Sequence, residues 1–392
     1  MTLHRTKIAF LDHCALESGA ELALLRLLPA LDEIDPVVIL GENGPLADAL
    51  RQRAIAVRVV PMPDTTRTLP RGAVVPGLNA VRAALSSLAY AVRLARLLRA
   101  LEVDLVATNS LKSSLYGGIA GRLARLPVVW HVRDRIADDY LPGSAVALVR
   151  LAVRVLPTAV IANSRATLET LRLPSTTRRR LRARSIGDPC PLDEFAAAAG
   201  PDHEGISVGI VGRISPWKGQ DVFLRAFAAS ALGRDDRARV IGGVLFGEEA
   251  YADTLPPLAA ELGITDRVEF TGHVTDVAAQ FGSLDIAVHA STIPEPFGQV
   301  VVEAMAAGVP VVATDAGGPS EIVTDEVDGL LYPMGDVVAL GSCLSRLARD
   351  AELRARLVAA GRRTAAAYAP DVIAAQVSAA YRAVLAGQDR PG

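Results

Sequence analysis

The sequence of 392 residues predicts an α/β protein made of two Rossmann-like domains, each with its own parallel sheet. Short β-branched apolar runs alternate with longer Ala-, Leu- and Arg-rich stretches of helical periodicity, which is typical of βαβ units. A stretch rich in proline and glycine at residues 187–205 interrupts this alternation once, and the pattern then starts again. We therefore expect a first domain at residues 1–190, a second at 205–369, and a closing helix within 370–392 that packs back toward the first domain.

Strands and helices follow each other in the same way in both halves. In the first half the predicted strands are Ile8–Leu11, Val37–Leu40, Val57–Val60, Leu105–Thr108, Val128–Val132 and Ala159–Ala162, with helical stretches between them such as Ala20–Leu31, Gly77–Leu101 and Leu111–Leu126. In the second half the strands are Ser207–Val211, Ala238–Ile241, Val268–Thr271, Ile286–His289 and Val311–Thr314, and the helices are Gln220–Ala231, Tyr251–Leu262, Gly298–Ala307, Val337–Arg349 and Ala351–Ala367. A final helix is predicted at Pro370–Leu385.

Charge is divided unevenly between the halves. Residues 1–200 contain 26 Arg and Lys against 18 Asp and Glu, whereas residues 201–392 contain 15 against 25. A basic first half suits an anionic membrane or an acidic acceptor, although a solvated face is the plainer alternative. Its most basic segments are Arg82, Arg93, Arg96 and Arg99 on one amphipathic stretch, and the run Arg178–Arg184. Few aromatic residues accompany them, so nucleic-acid binding is not expected.

Composition favours a cytoplasmic protein. The three cysteines form neither a disulfide framework nor a metal-ligand spacing. No apolar stretch of about 18 residues is free of charge or proline; the nearest, Ala145–Ala162, is interrupted by two arginines and a proline. The chain enters a strand-like segment almost at once, which argues against a signal peptide.

The familiar glycine-rich phosphate motifs are missing from both halves. Neither Asp12–Glu21 after the first strand nor Gly209–Arg213 in the second half matches Gly-x-Gly-x-x-Gly. No Gly-x-x-x-x-Gly-Lys-Ser/Thr sequence exists, which argues against a Walker nucleotide site.

A turn with two cations follows the first strand of the second half. Its sequence, Val-Gly-Arg-Ile-Ser-Pro-Trp-Lys-Gly at residues 211–219, lets Arg213 and Lys218 point into one cleft. A guanidinium and an ammonium at a helix N-terminus suit a diphosphate, each charge-assisted contact being worth about 1.5–3 kcal/mol. The alternative is a pair of solvated surface cations.

Two glutamates flank the start of a predicted helix in Glu-Pro-Phe-Gly-Gln-Val-Val-Val-Glu at residues 295–303. Prolines on both sides keep Glu295 outside the helix, while Glu303 lies one or two turns inside it. Backbone amides at residues 297–299 can receive an anion. A carboxylate in this apolar run is costly to bury without a partner, and sugar hydroxyls are suitable partners. The alternative is one helix-terminal and one half-exposed glutamate.

Two further turns carry glycines at predicted strand ends. Paired glycines in Asp-Ala-Gly-Gly-Pro-Ser-Glu-Ile at residues 315–322 let backbone approach a ligand closely, and Phe-Thr-Gly-His-Val-Thr-Asp at 270–276 can flank a nucleobase. Ordinary loops are the alternative for both. All four clusters follow predicted parallel strands, at whose carboxyl ends open α/β sheets bind ligands.

The order and spacing of these motifs resemble the family 4 retaining glycosyltransferases of GT-B fold. Shared features are the Gly-Arg…Lys-Gly turn, the Glu-x7-Glu motif and the Gly-Gly…Glu-Ile turn. The resemblance covers essentially the whole chain and is more specific in the second half. It implies two domains facing across a cleft, with the acceptor on the first and a nucleotide-diphosphate sugar on the second. The expected reaction is hexosyl transfer with retention, from a UDP-sugar in preference to a GDP-sugar.

The resemblance also implies roles for individual residues. Arg213 and Lys218 would hold the donor diphosphate and stabilise the leaving group. Glu303 would bind the ribose hydroxyls, and Glu295 would face the hexose hydroxyls as a catalytic residue. The other donor-binding residues that it implies are Gly212, Phe297, Gly298 and Gln299 near the diphosphate and hexose, and Gly272, His273 and Val274 beside the base.

In the first half the resemblance points to two residues. Ser-Gly-Ala-Glu at residues 18–21 occupies the place of the family's glycine-rich loop, where many members have Gly-Gly, so Gly19 is assigned to the donor site. His131, in Trp-His-Val-Arg-Asp at 130–134, matches the region of the family's active-site histidine and is assigned to catalysis. A structural histidine at a strand end is the alternative.

No residue of the sequence stands out as a nucleophile. The family is usually described by front-side attack through an oxocarbenium-like transition state, with the departing diphosphate helping to take the acceptor's proton. The protein then contributes mainly positioning and electrostatic stabilisation. Since there is no Asp-x-Asp motif, we expect no metal or other cofactor, with Arg213 and Lys218 in the metal's place.

The sequence leaves open the identity of the acceptor and two other possible functions. The acceptor is a glycan, a lipid-linked glycan or a small molecule, and the basic first half suggests a peripheral position on the inner face of the membrane. A nucleotide-sugar epimerase shares the double Rossmann arrangement but uses no acceptor, and the Arg…Lys and Glu-x7-Glu clusters favour transfer over it. A non-catalytic protein would bind the nucleotide sugar without turnover.

Overall fold

The computed structural model describes residues 5–16, 18–62, 78–197, 204–245 and 247–387. The chain forms two compact units: the first unit is residues 1–189 with 370–392, and the second unit is residues 190–369. Each unit contains one parallel sheet, so the two predicted Rossmann-like folds are confirmed. No helix in the described part of the chain is long and apolar enough to cross a membrane.

Seven parallel strands form the described sheet of the first unit. They are β1 (Thr6–Asp12), β2 (Ile34–Leu40), β3 (Ala56–Val59), β4 (Leu105–Thr108), β5 (Val128–Val132), β6 (Ala159–Ala162) and β7 (Arg184–Ser185). Their order is β3-β2-β1-β4-β5-β6-β7, with Ile8 of β1 opposite Leu105 of β4. Every residue of β4, β5 and β6 is buried, because helices cover both faces of a parallel sheet.

The helices of the first unit pack on this sheet. They are α1 (Gly19–Leu27), α2 (Pro45–Gln52), α3 (Leu78–Ala100), α4 (Leu111–Ala124), α5 (Gly143–Ala152), α6 (Arg165–Thr170) and α7 (Ser175–Arg180). Trp130 at the centre of β5 is fully buried and belongs to the core that these helices enclose. Small residues let α4 approach the sheet, since a Cβ at Gly117 would crowd Thr108.

The second unit repeats the design with six described strands. They are β8 (Ser207–Val211), β9 (Arg237–Ile241), β10 (Val268–Gly272), β11 (Ile286–His289), β12 (Val311–Thr314) and β13 (Leu330–Tyr332), in the order β10-β9-β8-β11-β12-β13. The helices are α8 (Leu192–Ala196), α9 (Gln220–Ala229), α10 (Glu249–Ala252), α11 (Leu255–Glu261), α12 (Val277–Gly282), α13 (Gln299–Ala307), α14 (Pro319–Ile322), α15 (Val337–Arg349) and α16 (Ala351–Ala365).

The last described helix is α17 (Pro370–Leu385), which contacts α1 of the first unit. Tyr381 of α17 is buried, and its ring lies edge-on to Phe10 of β1 with centroids 6.3 Å apart. Helices α16 and α17 belong to different units, although only residues 366–369 separate them in sequence.

Short elements are where prediction and structure differ. Strands β7 and β13 were not predicted, because two or three residues are too few to show a period. The predicted helix Tyr251–Leu262 is two helices, since Pro256 and Pro257 open α11 and cannot continue α10. The predicted helix Gly298–Ala307 begins one residue later, because Gly298 has a left-handed φ of 96°.

Replacing Phe227 with Ala should destabilise the second unit by about 3–5 kcal/mol. Phe227 of α9 is fully buried, packs against Phe223, and lies under the guanidinium of Arg267. The cavity would remove these contacts, and urea unfolding followed by circular dichroism would measure the loss. Val338→Ala is the matched control, because that side chain is 74% exposed and its loss should cost within about 0.5 kcal/mol. Equal effects of the two substitutions would contradict the packing described here.

Candidate functional site

The candidate site of the second unit lies where the order of strands in its sheet reverses. The chain runs from β8 through β9 to β10 on one side and returns as β11 on the other side of β8. Open α/β sheets bind ligands at such a switch point, outside the carboxyl ends of the strands. Two segments leave the sheet here: residues 212–219 after β8 and residues 290–298 after β11.

The segment after β8 is a tight turn that only glycine can close. A short 3-10 turn, Pro216–Lys218, ends at Gly219, which has a left-handed φ of 71°. A Cβ on Gly219 would overlap the carbonyl oxygen of Ala290. The amide of Thr292 also donates to the carbonyl of Trp217 at 2.8 Å. Backbone contacts thus hold the turn directly against the segment after β11.

A buried ion pair joins the two segments. Nζ of Lys218 lies 2.7 Å from Oε1 of Glu295. The other carboxylate oxygen, Oε2, lies 2.7 Å from Nε2 of His289 and accepts from Oγ of Ser291 at 2.8 Å. Thr314 Oγ1 is 3.1 Å from Nδ1 of His289, so both ring nitrogens of His289 have hydrogen-bond partners.

These partners decide the charge of Glu295, which is 8% exposed. Burial alone would raise its pKa, but the nearby Lys218 and His289 outweigh burial and hold the pKa well below the ordinary value. The carboxylate is therefore ionised at neutral pH and acts only as a hydrogen-bond acceptor. A ligand hydroxyl is the kind of donor that it can bind.

Both predicted cations lie over one aromatic ring. Nζ of Lys218 is 4.5 Å from the centroid of Trp217, and Cζ of Arg213 is 5.3 Å from the same centroid. The structure thus brings Arg213, Lys218 and Glu295 together, as the sequence predicted. Two cations gathered beside an indole suit an anionic group with two charged phosphates.

The segment after Glu295 is held by the paired glycines. A Cβ on Gly317 would overlap the Glu295 carbonyl oxygen, and one on Gly318 would overlap the Phe297 backbone. The glycines thus allow protein backbone to approach protein backbone, whereas a close approach to a ligand was expected. The side chain of Phe297 is buried against Tyr368, so only its backbone can serve a ligand.

The other predicted donor residues surround this point. Gln299 begins α13, Gly298 precedes it, and Glu303 lies buried one turn further along the helix. At the ends of neighbouring strands β8, β9 and β10, the glycines Gly212, Gly242 and Gly272 all have positive φ, at 143°, 137° and 66°. His273 is exposed and Val274 half-buried beside them.

A second polar cluster lies at the switch point of the first sheet, between β1 and β4. Asp12 accepts from the Asn109 side chain at 2.7 Å, and Asn109 in turn accepts from Nε of Arg133 at 3.0 Å. Arg133 forms a buried ion pair with Asp188. Burial, followed by the charge of Asp12, raises the pKa of Glu21 to about 7. Gly19, the predicted loop residue, begins α1 beside this cluster.

His131 lies inside the first unit rather than on its surface. Its Nε2 is 2.7 Å from the hydroxyl of Tyr381 on α17, and its side chain belongs to the buried strand β5. Burial, with a smaller contribution from Arg133, lowers the pKa of His131 to about 3. The ring is neutral at physiological pH and has a protein partner. Its catalytic role stays a prediction.

Several residues of these clusters were not predicted from the sequence. They are His289, Ser291 and Thr314 around Glu295, and Asp12, Asn109, Arg133, Asp188 and Tyr381 in the first unit. A polar residue ending a buried strand, as His289 ends β11, is the signal that would have found the first group. Among the described residues there is no group of three or more His, Cys, Asp and Glu side chains placed to hold a metal ion.

Replacing Lys218 with Met should cost more stability as the pH rises. In the wild type the lowered pKa of Glu295 means that its charge stabilises the fold above the ordinary pKa of 4.5, and that this contribution is lost as pH falls through the folded value. In the variant, only His289 and the Ser291 hydroxyl oppose burial, so the carboxyl protonates at higher pH. We expect the loss in unfolding free energy to grow from about pH 4 to about pH 8 and to reach about 3–5 kcal/mol.

Urea unfolding across this pH range would measure the effect. Arg225→Met is the matched control, since it removes an exposed cation from the same unit, and its cost should be small and nearly independent of pH. A pH-independent cost for Lys218→Met would show that the lysine does not set the charge of Glu295.

Replacing His131 with Gln should flatten the acid side of the stability profile. The folded pKa of about 3 lies below the unfolded value of 6.5, so the unfolded chain takes up a proton first as the pH falls. Wild-type stability should then fall by about 1.4 kcal/mol per pH unit below about pH 6.5 from this group, and the variant should lack that part of the slope. Urea titrations with exposed His273→Gln as control would test this. Equal slopes would mean that His131 is charged in the folded protein.

Comparison with known proteins gives the same assignment in both halves. The family model described as glycosyl transferases group 1 matches residues 193–364, and the model described as glycosyltransferase family 4 matches residues 45–181. The D-inositol 3-phosphate glycosyltransferase of Salinispora tropica is 42% identical over 168 residues, which are 41% of this chain and 35% of that relative. The chain thus spans about a third of that relative's length.

Longer matches cover most of the chain. HepE of Anabaena, solved in complex with UDP-glucose, has a TM-score of 0.82 at 27% identity, covering 96% of this chain and 99% of that one. The lipopolysaccharide core biosynthesis mannosyltransferase LpsB of Rhizobium meliloti is 30% identical over 285 residues, which are 66% of this chain and 80% of LpsB. On this coverage, and with both family models matched in order, the chain belongs to the family 4, or group 1, glycosyltransferases of GT-B fold.

Proposed function

We propose that this protein is a retaining hexosyltransferase that takes its sugar from a nucleotide-diphosphate donor, UDP-linked in preference to GDP-linked. The observation that carries the proposal is the buried Lys218–Glu295–His289 network at the switch point of the second sheet. The network places an ionised carboxylate directly beside a cation. A nucleotide-diphosphate sugar can bind both groups, since its anionic phosphates suit the cation and its hexose hydroxyls can donate to the carboxylate.

We prefer a UDP-linked donor because a similar protein was solved with UDP-glucose bound. The Anabaena protein HepE was solved with UDP-glucose, and separately with UDP and glucose. Its 27% identity over 96% of this chain supports the same donor class here. A mannosyltransferase also stands among the relatives, so GDP-sugars belong in the same binding experiment.

The diphosphate would lie against Arg213 and Lys218. Both cations sit over Trp217, whose indole keeps them close together without neutralising them. As the bond from the anomeric carbon to the diphosphate lengthens, negative charge grows on the leaving phosphate. Preorganised cations stabilise that charge without reorganisation during the reaction, which is the work that a metal ion does in other transferases. We therefore propose a metal-independent reaction.

The hexose would face Glu295, and the ribose Glu303. Glu295 already accepts three hydrogen bonds, and a hexose hydroxyl would replace or join the Lys218 contact. Backbone amides at Phe297, Gly298 and Gln299 open α13 and would support the same sugar. The glycines at the ends of β8 and β10, Gly212 and Gly272, would leave room for the nucleotide, with His273 and Val274 beside the base.

The acceptor would be a hydroxyl of a glycan, a lipid-linked glycan or a small molecule. The relatives include proteins named for inositol 3-phosphate and for lipopolysaccharide core synthesis, which supports polyhydroxyl acceptors. With no side chain assigned as nucleophile, the acceptor oxygen would attack on the face from which the diphosphate leaves, and the diphosphate would take its proton. Gly19 and His131 of the first unit stay candidates for contact with the sugar, and peripheral membrane attachment stays part of the proposal.

Calorimetric binding of UDP-glucose, UDP-galactose and GDP-mannose, with and without EDTA, tests the proposal directly. We expect a UDP-sugar to bind equally well in EDTA and to be slowly hydrolysed. Arg213→Ala and Lys218→Ala should each weaken binding about 10- to 100-fold, because each removes one charge-assisted contact. Arg225→Ala is the matched control, since it removes an exposed cation elsewhere in the same unit.

Proton NMR of the sugar product separates the reaction classes. Retention predicts that the released or transferred sugar first appears with the anomeric configuration of the donor. An intact nucleotide carrying an epimerised sugar would identify an epimerase instead. Binding without turnover, even when acceptors are supplied, would identify a non-catalytic binding protein, and no binding of any donor would overturn the assignment of the site.

A further inference from the structure

An apolar ridge stands on the outer face of α5 in the first unit. Leu148, Leu151 and Val155 are 53%, 64% and 57% exposed, and their spacing places them along one side of the helix and the turn after it. The opposite side of the same helix, with Val146 and Val149, belongs to the core of the first unit. The helix is therefore apolar on both sides, and neither its packing nor the proposed donor site accounts for the exposed side.

Arginines border the ridge and are tied to its backbone. Arg122 of α4 donates to the carbonyls of Val155 and Leu156, both at 2.9 Å. Arg180 of α7 donates to the carbonyl of Arg154, immediately beside Val155. These contacts place the ends of α4, α5 and α7 side by side. They also fix the guanidinium groups next to the apolar side chains, where long stems can lie along apolar surface and charges can reach outward.

The surrounding chain is almost free of acidic residues. Between residues 143 and 187 the only acid is Glu169. The arginines of the same stretch are Arg150, Arg154, Arg165, Arg172, Arg178, Arg179, Arg180, Arg182 and Arg184. Arg178 and Arg179 are exposed in the last turn of α7. We call the three apolar residues with Arg154, Arg178 and Arg179 the α5 surface.

An anionic lipid bilayer is the partner that this chemistry fits. Exposed leucines gain free energy by entering the boundary between headgroups and acyl chains, and arginines beside them gain by contacting lipid phosphates. A second copy of the same surface would bring like charges together, which disfavours self-association. We propose that the α5 surface docks the first unit on anionic membranes. Docking would bring the protein to a lipid-linked acceptor, and this link to an acceptor rests on the proposed function.

Flotation with vesicles of equimolar phosphatidylglycerol and phosphatidylcholine tests the inference on the full chain. We expect binding that weakens in high salt and is lost with vesicles of phosphatidylcholine alone. The triple variant Leu148→Gln/Leu151→Gln/Val155→Gln should bind anionic vesicles at least about tenfold more weakly, because the buried apolar area is gone. The double variant Arg178→Ser/Arg179→Ser should weaken binding and reduce its salt dependence, since each basic residue near an anionic surface contributes.

Val338→Gln is the matched control, because this valine is also exposed, at 74%, but lies on the second unit. It should bind vesicles as the wild type does. Calorimetry in the absence of lipid should give the same affinity for UDP-glucose for all variants. Loss of vesicle binding with unchanged UDP-glucose affinity would therefore be an effect on the α5 surface and not on the donor site. Wild-type levels of vesicle binding in both the triple and the double variant would overturn the inference. The inference would also be overturned if the wild-type protein did not bind anionic vesicles and light scattering showed a dimer that the triple variant does not form.

Discussion

The buried charge of Glu295 is the constraint on which the candidate site depends. A carboxylate at 8% exposure is unfavourable unless cations and hydrogen-bond donors surround it. Those partners come from three places in the chain: Lys218 after β8, His289 at the end of β11 and Ser291 just beyond it. The charge can be buried only if the two segments meet, and they meet only because Gly219 lets backbone touch backbone. The tight turn at Gly219 and the burial of the Glu295 charge thus depend on each other.

The same arrangement explains why the site is prepared for a ligand before the ligand arrives. Glu295 is held by His289 and Ser291 on one oxygen and by Lys218 on the other. His289 and Ser291 fix the position of the carboxylate, whereas Lys218 is the partner whose charge an anionic ligand can share. Trp217 lies under both Lys218 and Arg213, so one aromatic face holds the two cations side by side.

Prediction from sequence succeeded where a pattern repeats and failed where a contact spans distant segments. Buried strands such as Leu105–Thr108 and Ile286–His289 were predicted to the residue, because continuous apolar runs between turn signals define them. Motif resemblance singled out Lys218 and Glu295 separately, but it did not predict that they pair with each other. The hydrogen bond of His131 to Tyr381 was not predicted either, since it joins residues 250 positions apart. Likewise, the glycines at 317 and 318 were expected to face a ligand, but which backbone a glycine faces is settled only by the fold.

The two switch points show how similar sheets acquire different chemistry. In the first unit, Arg133 is the cation of a cluster with three acids, Asp12, Glu21 and Asp188. Three acids share this one buried cation, and the pKa of Glu21 is raised to about 7, first by burial and then by the charge of Asp12. In the second unit the balance is reversed: Lys218 and Arg213 gather near one ionised carboxylate. A site with surplus cations attracts phosphates, and a site with a surplus carboxyl accepts a proton or a hydroxyl donor. The ratio of charges at the strand ends, more than the fold that the sheets share, therefore distinguishes the chemistry of the two clusters.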